Sequence, residues 1–294
     1  MTDTLVALRH KLAEARQLAS VVRAMKAVAA ASITEYEAAV AALAHYQRAV
    51  EVSLGACLRR DGPGPPSSPA AARDAPLGAL VFGSDQGLVG RFNENIGDLA
   101  LRTLRDLPGP KWLWTVGERI TSYLELGGLT VRRQFSTPGS VAAIAGFVTE
   151  VQLEIEGLVA AGHCSEVLVF CNHPEEGARY VGDKRRLLPL DREWRSRLAA
   201  CAWPTPRAAE VLGDTSATLA GLVREQLFIS LYRACAESLA SENGSRLEAM
   251  QRAERNIESV STDLQRSSNR LRQTSIDTEL FDVLAGFNSL THPP

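Results

Sequence analysis

From Asp214 to Leu290 the chain runs without a single proline, behind Pro204 and Pro206, and nearly all of it reads as helix. A helix of that length extends on the order of 115 Å at 1.5 Å per residue. Read in sevens, the stretch puts Met250, Ile257, Leu264 and Leu271 at one core position and Ala253, Val260, Ser267 and Thr274 at the other, the seam of a coiled coil. Small and polar residues dilute the second position, and an isolated helix draws most of its stability from packing against a partner. A second long helix is therefore required.

The other end of the chain supplies it. From Thr4 to Leu58 the same reading puts Leu5, Leu12, Ala19, Ile33, Val40 and Leu54 at one position. Leu8, Ala15, Val22, Ala29, Tyr36, Leu43 and Val50 take the other, with Lys26 and Gln47 as polar exceptions. Helices that open and close a chain around a middle of roughly 150 residues pair most simply as antiparallel neighbours, with the middle inserted at one end. With Leu58 set opposite the start of the C-terminal helix, the partner ends near residue 270, and about twenty residues, or ~30 Å, project alone. That tip carries Ile276, Leu280, Phe281, Val283, Leu284, Phe287 and Leu290. An apolar tip in water calls for a hydrophobic socket on another protein.

Between the helices, residues 61–76 hold five prolines, two glycines and two serines and read as a linker with no core of its own. The segment 77–195 then alternates. Leu77 to Phe82, Lys111 to Val116, Leu129 to Phe135, Glu166 to Cys171 and Tyr180 to Leu190 read as extended, the last as an edge strand. Arg91 to Asp106, Glu118 to Leu126 and Val141 to Ala161 read as helical. Strands separated by helices imply a mostly parallel sheet in a Rossmann-like α/β layer. The expected organisation is a coiled-coil helix at 1–60, the linker, this α/β domain, a connector at 196–213 and a second coiled-coil helix at 214–290. The fold class is α/β, carried on a long antiparallel coiled coil.

A net charge of −2 exerts no global pull on nucleic acid. Cys57, Cys164, Cys171, Cys201 and Cys235 are scattered, with no C-x-x-C pair for zinc and no even framework of disulfides. The N-terminus reads as an amphipathic charged helix rather than a signal peptide, and no run of ~20 apolar residues is expected to span a membrane.

The one glycine-rich loop, GSDQGLVG with Gly83, Gly87 and Gly90, stands where a phosphate loop would lie, but its spacing matches neither common phosphate-binding pattern. A structural reading suffices: Asp85 caps the turn, Gly87 supplies a positive φ and Asn93 caps the following helix. His10, His45, His163, His173 and His292 lack metal-ligand spacing. Glu118, Glu125, Glu154 and Glu156 read as ordinary exposed helix charges. No catalytic set, cofactor or metal is expected.

Three stretches together resemble the gamma subunit of F-type ATP synthases. The C-terminal run ASENGSRLEAMQRAERNIESVSTDLQRSSNRLRQTSIDTELFDVLAG matches at Ala240-Ser241-Glu242, Arg246, Ala249-Met250, Ala253 and Asn256. It matches again at Asn269-Arg270, Arg272-Gln273, Ile276-Asp277 and Thr278-Glu279-Leu280. VVRAMKAVAAAS, around Arg23, Met25 and Lys26, resembles that family's first helix, and SDQGLVGRFN its SD-x-GLCG-x-x-N loop. The resemblance implies a shaft turning inside a hexamer of alpha and beta subunits, with the α/β domain as a foot on the membrane c ring beside the epsilon subunit. It implies contacts to the hexamer from Arg23, Met25, Lys26, Arg272, Gln273, Ile276, Leu280 and Leu284. Ser84, Asp85, Gln86, Gly87, Leu88 and Asn93 would contact the ring or epsilon. It further implies a non-catalytic subunit, peripheral on the cytoplasmic face of the bacterial inner membrane and coupled to proton or sodium flow. Val89 in place of the loop cysteine, the Phe281-Asp282-Val283 ending and the proline-rich linker depart from the pattern. Such drift suits a divergent branch, such as the alternative F-type ATPases that stand beside a standard one in some bacteria. Two readings from other classes compete: a stand-alone coiled-coil scaffold with an inserted α/β domain, and a Rossmann-type enzyme binding a nucleotide at Gly83 to Gly90.

Overall fold

The computed structural model describes residues 2–61, 76–164, 166–175, 179–189, 192–200, 203, 210, 211 and 213–291. Most of the proline-rich linker and of the connector lies outside them, as do Pro204, Pro206, Cys201, His292 and the side chains of Phe287 and Leu290. The element order is α1 (Thr2–Asp61), β1 (Leu77–Phe82), α2 (Phe92–Asp106), β2 (Lys111–Val116), α3 (Glu118–Leu126) and β3 (Arg133–Phe135). It continues with α4 (Val141–Ala160), β4 (Glu166–Glu175), β5 (Arg179–Leu188), α5 (Arg192–Ala200) and α6 (Thr215–Thr291). The chain forms two compact units, one of Met1–Val28 with Leu247–Pro294 and the other of Ala29–Arg246.

The first unit is an antiparallel pair of helical segments. Lys26 Nζ meets Glu254 Oε2 at 2.5 Å, and every α1 position assigned to the seam between Leu5 and Lys26 is buried or half-buried. On α6, Met250 is buried and Ile257, Leu264 and Leu271 are half-buried, as the pattern requires. The second seam position is different. Ala253 is half-buried as expected, but Val260 is 53% exposed, and Ser267 and Thr274 also face water. Glu254 is covered beside Ala253, and beyond it Ser261, Ser268 and Ser275 are covered in place of the expected residues. These four keep the alternating three-and-four spacing of a heptad but start one residue later, and the three serines among them are small. Counted outward in equal steps from Lys26 and Glu254, Thr2 comes level with Thr278. The unpaired tip is therefore about thirteen residues or ~20 Å long, not twenty. The expectation assumed that Leu58 marks the start of α6, whereas in the other unit the Arg233 to Gln47 bond (3.4 Å) brings Asp61 level with Leu219.

In the second unit the sheet order is β3-β2-β1-β4-β5, parallel except for β5, which pairs antiparallel with β4 at the edge. Alternation along β1 divides the core. Leu77, Ala79 and Val81 pack with Ile96, Leu104, Ile120 and Leu124 of α2 and α3. Leu80 and Phe82 face Ile144, Val148 and Ile155 of α4, together with Tyr36 of α1 and Leu231, Cys235 and Leu239 of α6. The two chain-terminal helices thus form part of the layer that covers the sheet. Asp214 starts α6, its carboxylate accepting from the Ser216 amide at 3.0 Å. Helix α5 was not foreseen; its Leu198 closes a third small core with Val50, Leu54 and Ile229.

One negative expectation is corrected. Between Leu5 and Arg59, α1 contains an 18-residue window of mean hydropathy 1.3, enough by length and composition to cross a membrane. Alanine and valine outside the seam raise that average, although Glu35 and Glu37 interrupt the stretch and Ala29 and Tyr36 within it are buried in protein.

Candidate functional site

The residues expected to grip partners fall into two groups. On the coiled coil, Arg23 is exposed and, among the described residues, its side chain donates only to Ala19 O of the preceding turn, from Nε at 3.2 Å. Met25 is half-buried. Lys26 is held in the seam by Glu254, with about a third of each side chain exposed, so the polar exception on α1 meets its own counter-charge. Arg272 and Gln273 are exposed on α6 beside half-buried Leu271. Toward the tip Ile276 is 54% exposed, Leu280 56%, Phe281 69%, Val283 69% and Leu284 49%. About half or more of each of these large apolar residues is open, and they cluster along one short stretch of helix instead of lying scattered.

The loop after β1 is built differently from the expectation. Ser84 is fully buried, and its amide donates to Asn93 Oδ1 at 3.0 Å while Asn93 Nδ2 donates to Ser84 Oγ at 2.8 Å. Asn93 therefore lies inside α2 and ties the loop down instead of capping the helix. Asp85 does cap a helix, but a distant one: Oδ1 accepts from the Glu118 amide at the start of α3 at 3.1 Å. Its Oδ2 accepts from Thr137 N at 2.8 Å and Thr137 Oγ1 at 2.7 Å. The carboxylate thus joins three connections of the α/β layer. The positive φ belongs to Leu88 (61°) and Gly90 (58°), not to Gly87. A bulky residue in that region is costly, and Leu88 is also 63% exposed. Of the six loop residues, only Gln86 and Leu88 are exposed. Val89, at the position of the family's cysteine, is buried. Gly83 has no room for a side chain, since a Cβ there would meet Ile120 at 2.3 Å and Asn93 Oδ1 at 2.7 Å.

Sequence reasoning missed a run of α6, Ala234 to Asn243, that is buried on every face although it includes Glu237, Ser238, Ser241, Glu242 and Asn243. Charges survive burial only when paired. Glu237 is held by Arg185 at 2.8 Å and Arg233 at 2.7 Å, and Glu242 by Arg246 at 2.5 Å. Burial raises the pKa of Glu242 above the usual carboxylate value, opposed by the Arg246 guanidinium. Charged residues inside an otherwise helical pattern carry no local sign of burial, so only the resemblance at Ala240-Ser241-Glu242 and Arg246 marked this run.

Burial pushes the Cys171 thiol up to about 12 and also raises Cys235 and Cys164. These thiols stay protonated at neutral pH, and the thiolate is the reactive form. Glu154 and Glu156 are engaged separately, with Arg133 at 2.8 Å and Arg224 at 2.7 Å.

A family model described as ATP synthase matches residues 4–290. The ATP synthase gamma chain of Moorella thermoacetica is 26% identical over 96% of this chain and 98% of its own length. That of Granulibacter bethesdensis is 28% identical over 98% and 99%. Among solved structures, the rotor of the Euglena gracilis mitochondrial ATP synthase superposes with a TM-score of 0.63 at 15% identity, covering 94% of this chain and 100% of the other. A Tetrahymena thermophila mitochondrial ATP synthase central stalk and c ring gives 0.56 at 22% identity, with 79% and 99% covered. At those identities the structures speak for the fold.

Proposed function

The chain belongs to the ATP synthase gamma-chain family, and on that premise we propose that it is the central-stalk rotor of an F-type ATP synthase. The single observation that carries the reading is the family match from residue 4 to residue 290, which takes in both long helices and the inserted α/β domain. The match also disfavours a stand-alone scaffold. In this role the α1–α6 coiled coil turns inside a hexamer of alternating alpha and beta subunits, and the α/β domain sits with an epsilon subunit on the membrane c ring. Ion flow, of protons or sodium, turns ring and foot together. The shaft is asymmetric, so each catalytic site meets a different face as it turns, and its affinity for ADP, phosphate and ATP shifts with shaft angle. The chain itself supplies no catalytic group. It is peripheral, on the cytoplasmic face of a bacterial inner membrane, and reaches the membrane only through its partners.

The contacts follow from which side chains are open. Arg272 and Gln273, exposed and with no side-chain bond to any described residue, face loops of the beta subunits, with Arg23, Met25 and Lys26 near them. The apolar tip around Ile276, Leu280 and Leu284 runs in the hexamer's sleeve. On the foot, Gln86 and Leu88 make the contact to ring or epsilon, while Ser84, Asp85, Gly87 and Asn93 hold the loop in shape.

The test is co-purification. The tagged chain, extracted from membranes in mild detergent, is expected to bring down alpha, beta, epsilon and c subunits with magnesium-dependent ATPase activity. Deleting the segment from Ile276 onward should uncouple that activity. Recovery of the chain alone, or only with itself, would refute the proposal.

A further inference from the structure

On the side of the sheet that faces α1 and α6, the second unit holds a cavity of about 570 Å³ with an unusual wall. Four arginines line it: Arg185 and Arg186 from β5, Arg197 from α5 and Arg233 from α6. The floor is apolar, with Val169, Leu187, Ile229 and Ala234, and Gln47 and Ser230 add neutral hydrogen-bonding groups. The volume is that of an ordinary small-molecule site.

The charges do not cancel. Arg185 pairs with Asp183 at 2.8 Å and Glu237 at 2.8 Å, Arg233 shares Glu237 at 2.7 Å, and Arg186 pairs with Glu166 at 2.9 Å. Four guanidiniums thus face three carboxylates, and Arg197 forms no hydrogen bond or ion pair with any described residue. The pairs also leave donors over. Arg185 and Arg233 each keep Nη2, and Arg186 keeps both terminal nitrogens, unbonded to any described residue. Each guanidinium carries five N–H groups in a rigid fork. The carboxylates therefore fix the arginines in place without exhausting them.

We propose that this cavity binds a small phosphate-bearing anion, with Arg197 and the spare donors of Arg185, Arg186 and Arg233 on the phosphate oxygens and the apolar floor under the uncharged part. Phosphate suits the wall because guanidiniums bind it through paired, charge-assisted bonds. A cluster of cations around an apolar floor lacks a partner that is both anionic and partly apolar, and a nucleotide or other organic phosphate is both. The site lies wholly within the α/β unit and does not depend on the rotor reading.

Calorimetric titration of the full chain with pyrophosphate, ATP and inorganic phosphate tests this, with Arg197→Glu and the milder Arg197→Gln as variants and thermal melts as the check on folding. Saturable binding of pyrophosphate or ATP is expected, weakened at least tenfold in Arg197→Glu and less in Arg197→Gln, with melting unchanged. Stronger binding of ATP than of pyrophosphate identifies an organic phosphate, and equal binding assigns recognition to the phosphates alone. No saturable binding of any probe, or binding that survives Arg197→Glu unchanged, would overturn the proposal. So would heat from a polyglutamate peptide but from none of the phosphates, which would assign the cavity to an acidic segment of a partner.

Discussion

Asp85 shows most directly how the candidate foot loop divides between scaffold and surface. Its carboxylate accepts three hydrogen bonds, from Glu118 N, Thr137 N and Thr137 Oγ1. Bonds to a charged acceptor contribute about 1.5–3 kcal/mol each. The Glu118 amide is exposed, so water recovers much of its share, whereas the Thr137 donors are half-buried. Asp85→Ala should therefore cost about 2–4 kcal/mol in all. For a unit of this size each kcal/mol moves Tm by about 2–4 °C, so the melting transition should fall by about 5–15 °C. Asp85→Asn keeps one acceptor oxygen and should lose about half as much. A double-mutant cycle of Asp85→Ala with Thr137→Val, read by calorimetry or urea unfolding, should return a coupling of about 1 kcal/mol. If Asp85→Ala instead melted within about 2 °C of the parent while weakening recovery of ring or epsilon subunits, the carboxylate would be a contact residue and the scaffold argument would be wrong.

Replacing Lys26 and Glu254 together by methionine should leave the coiled coil at least as stable as the parent, while either single change costs about 1 kcal/mol or more, since the survivor keeps a half-buried charge without its partner; chemical denaturation of the three variants decides it. Burial raises the Glu242 pKa, so the folded chain holds that proton more tightly than the unfolded chain does. This contribution to stability is present below the unfolded value, near 4.5, and is lost as pH rises through the raised folded value. The stability of Glu242→Gln relative to the parent should accordingly grow with pH above about 4.5 and then level off; urea midpoints between pH 4 and 8 that show the opposite trend would sink the argument. Arg272→Ala with Gln273→Ala should weaken coupled ATP hydrolysis in the assembled complex yet shift unfolding by less than about 0.5 kcal/mol, because both side chains are exposed.

The α1 seam was legible because apolar side chains fill it from Leu5 to Leu54 except at Lys26 and Gln47, and a heptad anchored by leucine, isoleucine and valine announces itself. The second seam position of α6 was not, because Ser261, Ser268 and Ser275 look no more buried than Ser267 or Thr274. Which of two adjacent small residues faces the partner depends on how closely the helices approach, a property of the pair and not of one strand of text. The mostly parallel sheet followed from runs such as LGALVF and KWLWTV separated by helices, with the last strand at an edge, but the order β3-β2-β1-β4-β5 was not read, because the chain crosses from β3 to pair β4 with β1. The loop's length and place were readable, but its wiring was not. Asp85 reaches across 33 residues to Glu118 and 52 to Thr137, while the left-handed turn fell to Leu88 beside a glycine that does not need it. The open side chains proposed as contacts were visible chiefly through resemblance, since an exposed arginine on a helix has no local signature of a partner.

The all-round burial of Ala234 to Asn243 has a mechanical meaning. A helix packed along one stripe can roll against its neighbour, exchanging one row of contacts for the next at little cost. These ten residues span nearly three turns, and they have no free row to exchange. The α/β layer holds α6 as a chuck holds a drill. Torque applied to that layer enters the helix there, and slippage would require breaking the pair of Glu237 with Arg185 of β5.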